Sequence, residues 1–248
     1  VRRGRVLLEG AVREVTQAEE GARLDDGTII AEDEALWLPP LVPRTTFAVG
    51  LNYPDHAKEL SFKPPTEPLL FLKGPNTFCG HRGRTVRPRD VTFMHYECEL
   101  AVVIGRTARR VSARDGLDYV AGYTAANDYA FRDYLENYYR PNLRVKSRDG
   151  ATPLGPWLVD RDEVPDPMRL TLRTTVNGRE TQRGSTGEML FGIPWLIEYL
   201  TSFLTLEAGD LILTGTPHGL ADVRPGDLVV TEVEGVGRLE NTIVAEER

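Results

Sequence analysis

The chain has two cysteines, Cys79 and Cys98, and four histidines. The cysteines stand at no spacing that metal ligands use, and so few thiols argue against a disulfide framework and for a reducing cytoplasm. No His-x-x-x-His, Cys-x-x-Cys or Asp-x-Asp-x-Asp-Gly string occurs, which removes the common zinc motifs and the calcium loop. Nor is there a phosphate-binding loop of the Gly…Gly-Lys-Ser/Thr kind. No apolar run approaches the roughly 18 residues of a membrane span. The first residues, Val1-Arg2-Arg3-Gly4-Arg5-Val6-Leu7-Leu8-Glu9, hold an apolar stretch too short for a signal peptide. Positive charge is in deficit: 30 Lys and Arg against 37 Asp and Glu leave a net charge of −7, which argues against a nucleic-acid surface. An acidic chain that takes an acidic substrate needs a bound cation or clustered bases to do so. Only four of the basic residues are lysines, Lys58, Lys63, Lys73 and Lys146. Arginine supplies generic charge here, so each surviving lysine marks a place for a compact or titratable amine.

What is present is ordinary for a globular protein. The 248 residues are 41% hydrophobic and 27% charged, enough to bury one large core. Residues 1–40 carry short apolar runs at 5–8 and 28–30 around an Asp25-Asp26-Gly27 turn, and read as a small N-terminal β-rich appendage. Leu38-Pro39-Pro40-Leu41-Val42-Pro43 is an extended connector, leaving residues 41–248 as the main domain. Strands are expected there at 45–50, Leu69–Lys73, 119–127, Leu211–Leu213, 228–234 and 237–244. Asn177-Gly178, between Thr171–Val176 and 179–183, predicts a hairpin with a type I′ turn. A short helix is expected after an Asn52 cap, with Pro54 in its first turn. A second spans 131–140 and stops at Pro141. The third is Ile193–Phe203, where Ile193, Leu196, Ile197 and Leu200 form one stripe. Leu143–Lys146 reads as short and extended. The class is β-rich mixed α+β.

The stretch that organises the rest is Phe93-Met94-His95-Tyr96-Glu97-Cys98-Glu99-Leu100-Ala101-Val102-Val103-Ile104-Gly105. With a period of two it is one strand, ended by Gly105. His95, Glu97, Glu99, Ala101 and Val103 share one face, and Tyr96, Cys98, Leu100, Val102 and Ile104 the other. From Leu100 onward both faces are apolar, as in a strand buried on both sides. Glu97 and Glu99 lie about 6.6 Å apart along the strand and point the same way, so both can reach one hard cation. By itself Glu-x-Glu is more often a solvated strand face. Asp128, at the end of a strand, is the natural third ligand, although cap or turn is the commoner role for such an aspartate. Three carboxylates with no nitrogen or sulfur partner favour Mg²⁺ or Mn²⁺.

His56 and Glu59, three apart on a short helix, can face each other. A carboxylate there fixes the imidazole tautomer and favours its charged form; the plainer reading is an exposed ion pair. His81, His95 and His218 have no comparable partner in the sequence, and His95 stands at most behind the metal ligands. Lys73 and Lys146 each end an expected strand before a bend. Thr214-Gly215-Thr216-Pro217 offers hydroxyls and backbone N–H groups after a strand, a cradle for a carboxylate.

Taken together, these strings resemble the fumarylacetoacetate hydrolase family. The matching pieces are Val49-Gly50-Leu51-Asn52-Tyr53-Pro54-Asp55-His56-Ala57-Lys58-Glu59, Phe71-Leu72-Lys73-Gly74-Pro75, Tyr96-Glu97-Cys98-Glu99-Leu100-Ala101-Val102-Val103-Ile104-Gly105, Asn127-Asp128 with Arg132-Asp133, Lys146-Ser147, and Leu213-Thr214-Gly215-Thr216-Pro217. They keep the family's order over residues 45–217. Arg144-Val145-Lys146-Ser147-Arg148-Asp149, followed by Thr152-Pro153-Leu154-Gly155-Pro156-Trp157, is most similar to one branch. That branch holds the isomerase/decarboxylases of homoprotocatechuate (4-hydroxyphenylacetate) breakdown.

The resemblance implies a mixed β-sandwich roll, usually homodimeric, with residues 41–248 as the catalytic domain. It implies Mg²⁺ (or Mn²⁺) on Glu97, Glu99 and Asp128, and a catalytic His56–Glu59 pair on a mobile lid helix. Lys146 matches the active-site lysine and Thr216 the carboxylate-binding threonine, with Arg132 and Lys73 as further substrate contacts. Members that hydrolyse acylpyruvates carry a glutamine that helps place the attacking water. About one helical turn past Arg132 this chain has Leu135 instead, near Tyr134 and Tyr138. The expected activity is therefore isomerisation or decarboxylation of a 2-hydroxy-dienoic or 2-oxo dicarboxylic acid of the 2-hydroxyhepta-2,4-diene-1,7-dioate type, with His56 or Lys146 moving the proton. Acylpyruvate-type C–C hydrolysis is the alternative within the enzymes. A non-catalytic metal- or ligand-binding protein is the alternative outside them, and the intact His56, Glu59 and Lys146 speak against it.

Overall fold

Alternating apolar residues broken by Gly, Pro and Asp turns make this chain a succession of short strands. A computed structural model describes residues 1–135 and 143–247. The strands are β1 (Arg2–Leu8), β2 (Ala11–Ala18), β3 (Gly21–Arg23), β4 (Ile29–Ile30), β5 (Leu36–Leu38), β6 (Thr46–Gly50), β7 (Leu69–Lys73), β8 (Phe78–Cys79), β9 (Gly83–Arg87) and β10 (Met94–His95). They continue as β11 (Cys98–Ile104), β12 (Val120–Asn127), β13 (Ala130–Phe131), β14 (Thr152–Pro153), β15 (Leu158–Asp160), β16 (Thr171–Val176), β17 (Arg179–Ser185), β18 (Leu211–Leu213), β19 (Leu228–Val233) and β20 (Gly237–Ala245). The α-helices among the described residues are α1 (Pro54–Glu59), α2 (Leu143–Lys146) and α3 (Ile193–Phe203).

Two open sheets carry the fold. The larger runs β4-β3-β2-β1-β15-β12-β11-β18-β6-β7, with β5 also on β1, and the smaller runs β17-β16-β19-β20-β9. Because β1 pairs with β15, the strands of residues 1–40 extend one end of the larger sheet. β11 lies in its middle and shows why both of its faces are apolar. Cys98, Leu100, Val102 and Ile104 enter the main core, with Leu172, Val233 and Leu239 of the smaller sheet and Ile193, Leu196, Ile197 and Leu200 of α3. Ala101 and Val103 pack on the opposite side with Ala48, Leu211 and Leu213. The fold is the expected β-rich mixed α+β sandwich, with both sheets open.

Several elements fall where the sequence places them. β7, β18 and α3 have the expected bounds, and Asn177 and Gly178 both take positive φ (49° and 80°), as a type I′ turn requires. Others differ. The long strand from Phe93 breaks after His95: β10 pairs with β13, and β11 starts only at Cys98. At the break Glu97 N–H donates to the Asn127 side chain (2.9 Å), and Glu97 C=O accepts from Asp128 N–H (3.0 Å). Asn52 is no helix cap; Tyr53 holds that place without a side-chain bond. The buried Asn52 amide instead donates to Thr214 O (2.8 Å) and Phe191 O (3.1 Å) and accepts from Phe191 N–H (2.8 Å). It thereby stitches the start of α1 to the loop after β18, which satisfies three backbone groups where a cap satisfies one.

Leu143–Lys146 is a helical turn rather than an extended piece. Ser147 N–H closes it on Leu143 C=O (2.7 Å), with Val145 and Lys146 turned inward. The helix expected over 131–140 is absent at its start, where Phe131 ends β13 and Arg132–Tyr134 is a 3-10 turn. Its remainder, with Tyr138, lies in residues 136–142, outside the described residues.

Candidate active site

β11 and β12 are antiparallel neighbours, with Cys98 opposite Asn127 and Glu99 opposite Ala126. This register brings the residue before β11, the second residue of β11 and the residue after β12 to one spot. Glu97, Glu99 and Asp128 each place a carboxylate oxygen within 4.8 Å of the other two. They are 7%, 2% and 0% exposed, so the solvated-face reading of Glu-x-Glu fails. Two lysines reach in from other elements. Lys146, at the end of α2, places Nζ 2.6 Å from Glu97 Oε2 and 3.0 Å from Asp128 Oδ2. Lys73, at the end of β7, donates to Asp128 Oδ1 (2.5 Å) and to the Lys146 carbonyl. Glu99 has no lysine; its Oε2 accepts from Gly215 N–H at 2.7 Å.

The charges sort themselves accordingly. Burial, reinforced by the charges of Asp128 and Glu97, pushes the Glu99 carboxyl well above its usual range. Glu97 is also buried, but Lys146, His56 and Arg132 outweigh that and hold it low. Burial lowers Lys73 despite Asp128. Lys146 is raised, because Asp128 and Glu97 overcome its desolvation, so it keeps its proton. The residues present fit a hard divalent cation. All the donors are carboxylate oxygens, Glu99 lacks a cationic partner among the described residues, and buried Asp128 Oδ2 makes no hydrogen bond in spite of Lys146 nearby.

His56 is 4% exposed, and its Nδ1 lies 3.3 Å from Glu59 Oε2. Burial alone raises Glu59, but bonds from His56 and from the N–H groups of Gly219 (3.1 Å) and Leu220 (3.0 Å) lower it overall. An ionised carboxylate only accepts, so Nδ1 carries the hydrogen and Nε2 is the basic nitrogen. His56 is buried while Glu59 stays open to solvent, and the pair is not isolated: Glu59 fastens α1 to the loop after β18.

His56, Glu97, Arg132, Lys146 and Thr216 all line one cavity of about 170 Å³. Its other walls include Leu51, Leu60, Phe62, Phe71, Leu135 and Val145. Lys73 is not among them; its ammonium is spent on Asp128 and α2, behind the triad. A larger open depression of about 670 Å³, near Trp157, Arg173 and Arg238, lies apart from the carboxylates. There Arg173 and Arg238 are already paired with Glu232 and Glu240.

Three histidines read as unpartnered do have partners. His81 Nε2 meets Glu32 (3.0 Å) and His218 Nδ1 meets Asp55 (2.5 Å), both at separations no local spacing reveals. His95 Nε2 accepts from Arg132 Nε–H (2.8 Å) while Nδ1 sits 3.1 Å from Tyr96 O. Burial, then the charges of Arg132 and Lys146, push its imidazole well below the usual value. It is a neutral ring that aims the Arg132 guanidinium.

Fold and site together define a class: β-rich proteins with a buried carboxylate triad on adjacent strands, fit to hold a metal ion, beside a cavity lined by basic, hydroxyl and apolar side chains. A family model described as fumarylacetoacetate (FAA) hydrolase, C-terminal, matches residues 45–244, and the chain belongs to that family. It is 60% identical over 227 residues to the 4-hydroxyphenylacetate degradation bifunctional isomerase/decarboxylase of Salmonella dublin, covering 90% of this chain and 53% of that protein. It is 63% identical over 203 residues to the homoprotocatechuate catabolism bifunctional isomerase/decarboxylase of Escherichia coli, covering 82% and 47%. The chain therefore spans about half the length of these relatives. Among solved structures, a 2-hydroxyhepta-2,4-diene-1,7-dioate isomerase from Mycobacterium marinum superposes with a TM-score of 0.84 at 31% identity, over 100% of this chain and 99% of that one. A 5-carboxymethyl-2-hydroxymuconate delta-isomerase from Mycobacterium smegmatis gives 0.85 at 34%, over the whole of both.

Proposed function

We propose that this chain is a Mg²⁺- or Mn²⁺-dependent isomerase/decarboxylase of 2-hydroxy-dienoic or 2-oxo dicarboxylic acids, of the 2-hydroxyhepta-2,4-diene-1,7-dioate type. It works in the cytoplasm, as a homodimer. The observation that carries the reading is the lining of the cavity. The charged and hydroxyl groups of His56, Glu97, Arg132, Lys146 and Thr216 share its wall with Leu135 and other apolar side chains.

A divalent ion on Glu97, Glu99 and Asp128 would supply Lewis acidity toward substrate oxygens. The protein's own residues do the remainder. Thr216 and Arg132 take the carboxylates at the two ends of a diacid. His56 Nε2 removes a proton and returns it at another carbon, with Glu59 holding the ring in place. Lys146, kept protonated by Glu97 and Asp128, stabilises negative charge that develops on the substrate. Hydrolysis needs a water held against the attacked carbonyl, and Leu135 offers such a water an apolar side chain rather than a hydrogen-bond partner. Proton transfer or loss of CO₂ is then the easier outcome.

The test is an absorbance assay of metal-loaded protein on 2-hydroxy-dienedioates of five to seven carbons and on acylpyruvates. The diacids should turn over, with acetylpyruvate cleaved at least about tenfold more slowly, roughly 1.4 kcal/mol in barrier. Leu135→Gln should narrow that gap. Faster cleavage of acetylpyruvate than of any diacid would make the chain a hydrolase, and no turnover of either class would make it a binding protein.

A further inference from the structure

Gln182 lies on β17, in the smaller sheet, yet it is 2% exposed and reaches across to the active-site loop. Its side chain makes four hydrogen bonds. Nε2 donates to Thr216 Oγ1 (2.9 Å) and to Pro217 O (2.8 Å). Oε1 accepts from Cys98 N–H (3.3 Å) and from Thr174 Oγ1 (2.9 Å). Two of these partners fix which way the amide faces. Pro217 C=O can only accept and Cys98 N–H can only donate, so turning the amide over would set oxygen against oxygen and hydrogen against hydrogen. Nitrogen therefore faces Thr216, and both amide hydrogens are committed.

The consequence falls on Thr216. Its oxygen accepts from Gln182, so its own hydrogen must point elsewhere, and among the described residues it meets no acceptor. Thr216 lines the cavity. A hydroxyl held as an acceptor from behind is a donor toward the front, and what such a donor recognises is an anionic oxygen. Charge-assisted bonds of this kind are the strong ones. Gln182 also grips the backbone at Cys98, the residue between the two glutamates. The loop that meets the substrate and the strand that presents the carboxylates are thus indexed to one amide.

We propose that Gln182 is a positioning residue that commits the Thr216 hydroxyl to donate to a substrate carboxylate, and so sets affinity for the acid. This deepens the function proposed above and rests on its placement of a carboxylate at Thr216.

Gln182→Glu puts an acceptor where the donor was and draws the Thr216 hydrogen backward. KM for a 2-hydroxy-dienedioate should rise about tenfold, the scale of one hydrogen bond to a charged group, with kcat within about twofold. Gln182→Met, neutral and of similar size, should raise KM less. Thr216→Val should raise KM by itself, and adding Gln182→Glu to it should change KM no further. A purely structural or electrostatic role for Gln182 would persist in the Thr216→Val background, and that persistence overturns the proposal. So does an unchanged KM in Gln182→Glu. Calorimetry with oxalate and Mg²⁺, which needs no turnover, repeats the cycle on affinity. If wild-type protein turns over no diacid yet the oxalate cycle shows the coupling, the functional reading falls and the role of Gln182 stands.

Discussion

Replacing Glu99 by Gln removes one of three crowded carboxylates while keeping its shape and an oxygen for Gly215 N–H. Without metal, Glu99 is the carboxylate that the structure least accommodates, buried with like charges and with no lysine of its own. Glu99→Gln should therefore melt about 2–4 °C higher than wild type in the absence of metal, a gain on the order of 1 kcal/mol, and should lose most of the stabilisation that Mg²⁺ confers. Calorimetric melting with and without chelator measures both. A metal-free variant that melts lower than wild type would show that Glu99 is not frustrated. At Glu59 the expectation concerns rate. Glu59→Gln weakens the bond that fixes His56, so kcat should fall more than KM rises. Unchanged kcat and KM in that variant would reduce the pair to a structural contact.

Among the elements, α1 shows how magnitudes choose between two fastenings. The Asp55–His218 pair is exposed (38% and 60%), and such pairs contribute roughly 0–1 kcal/mol. Glu59 accepts from His56 and from two backbone N–H groups, and its acidity is increased by them. A carboxyl held low in the folded state adds stability that is complete above its unfolded value and lost as pH falls through the folded one. Acidification below the usual glutamate value of 4.5 should thus release α1 from the loop. Protection of the Gly219 and Leu220 amides, relative to intrinsic exchange, should drop there in wild type. It should be weak at every pH in Glu59→Gln and little changed at neutral pH in Asp55→Asn. Equal protection in all three would assign the docking of α1 to packing alone.

These elements also show what the chain reveals when read by itself. β11 and α3 carry their burial in local periodicity. The Glu97–Glu99 spacing with Asp128 at a strand end proposes the triad that the fold brings together, but by itself favours a solvated face, and the family resemblance is needed to prefer a metal site. The break at Tyr96 and Glu97 depends on the side chain of Asn127, and the role of Asn52 depends on Phe191 and Thr214. No local pattern contains such partners. The Leu143–Lys146 turn is too short for periodicity to separate helix from strand. Lys73 showed as an unusual lysine, but only the fold reveals that it faces Asp128 rather than the cavity. Gln182 left no mark at all, since its partners stand at positions 98, 174, 216 and 217.

For the molecule as a whole, a cation on the triad binds the folded state and not the unfolded chain, so metal should act as a global stabiliser. At a hundredfold excess over Kd the gain is about 2.7 kcal/mol, or roughly 5–10 °C in Tm at this size. Asp128→Asn should abolish the shift, together with activity, while leaving the metal-free fold intact. An undiminished shift in that variant would remove Asp128 from the ligand set.

The parallel pairing of β9 with β20 joins Gly83 to Asn241, whereas β11 and β12 are near neighbours in sequence. Loop closure over so long a separation is the slower event. On a chain still being made, β9 waits unpaired until β20 exists, long after the strands bearing Glu97, Glu99 and Asp128 are able to meet. The face that carries the three carboxylates is thus expected to mature ahead of the sheet that supplies Gln182. In refolding experiments, capture of a luminescent lanthanide should precede closure of the smaller sheet.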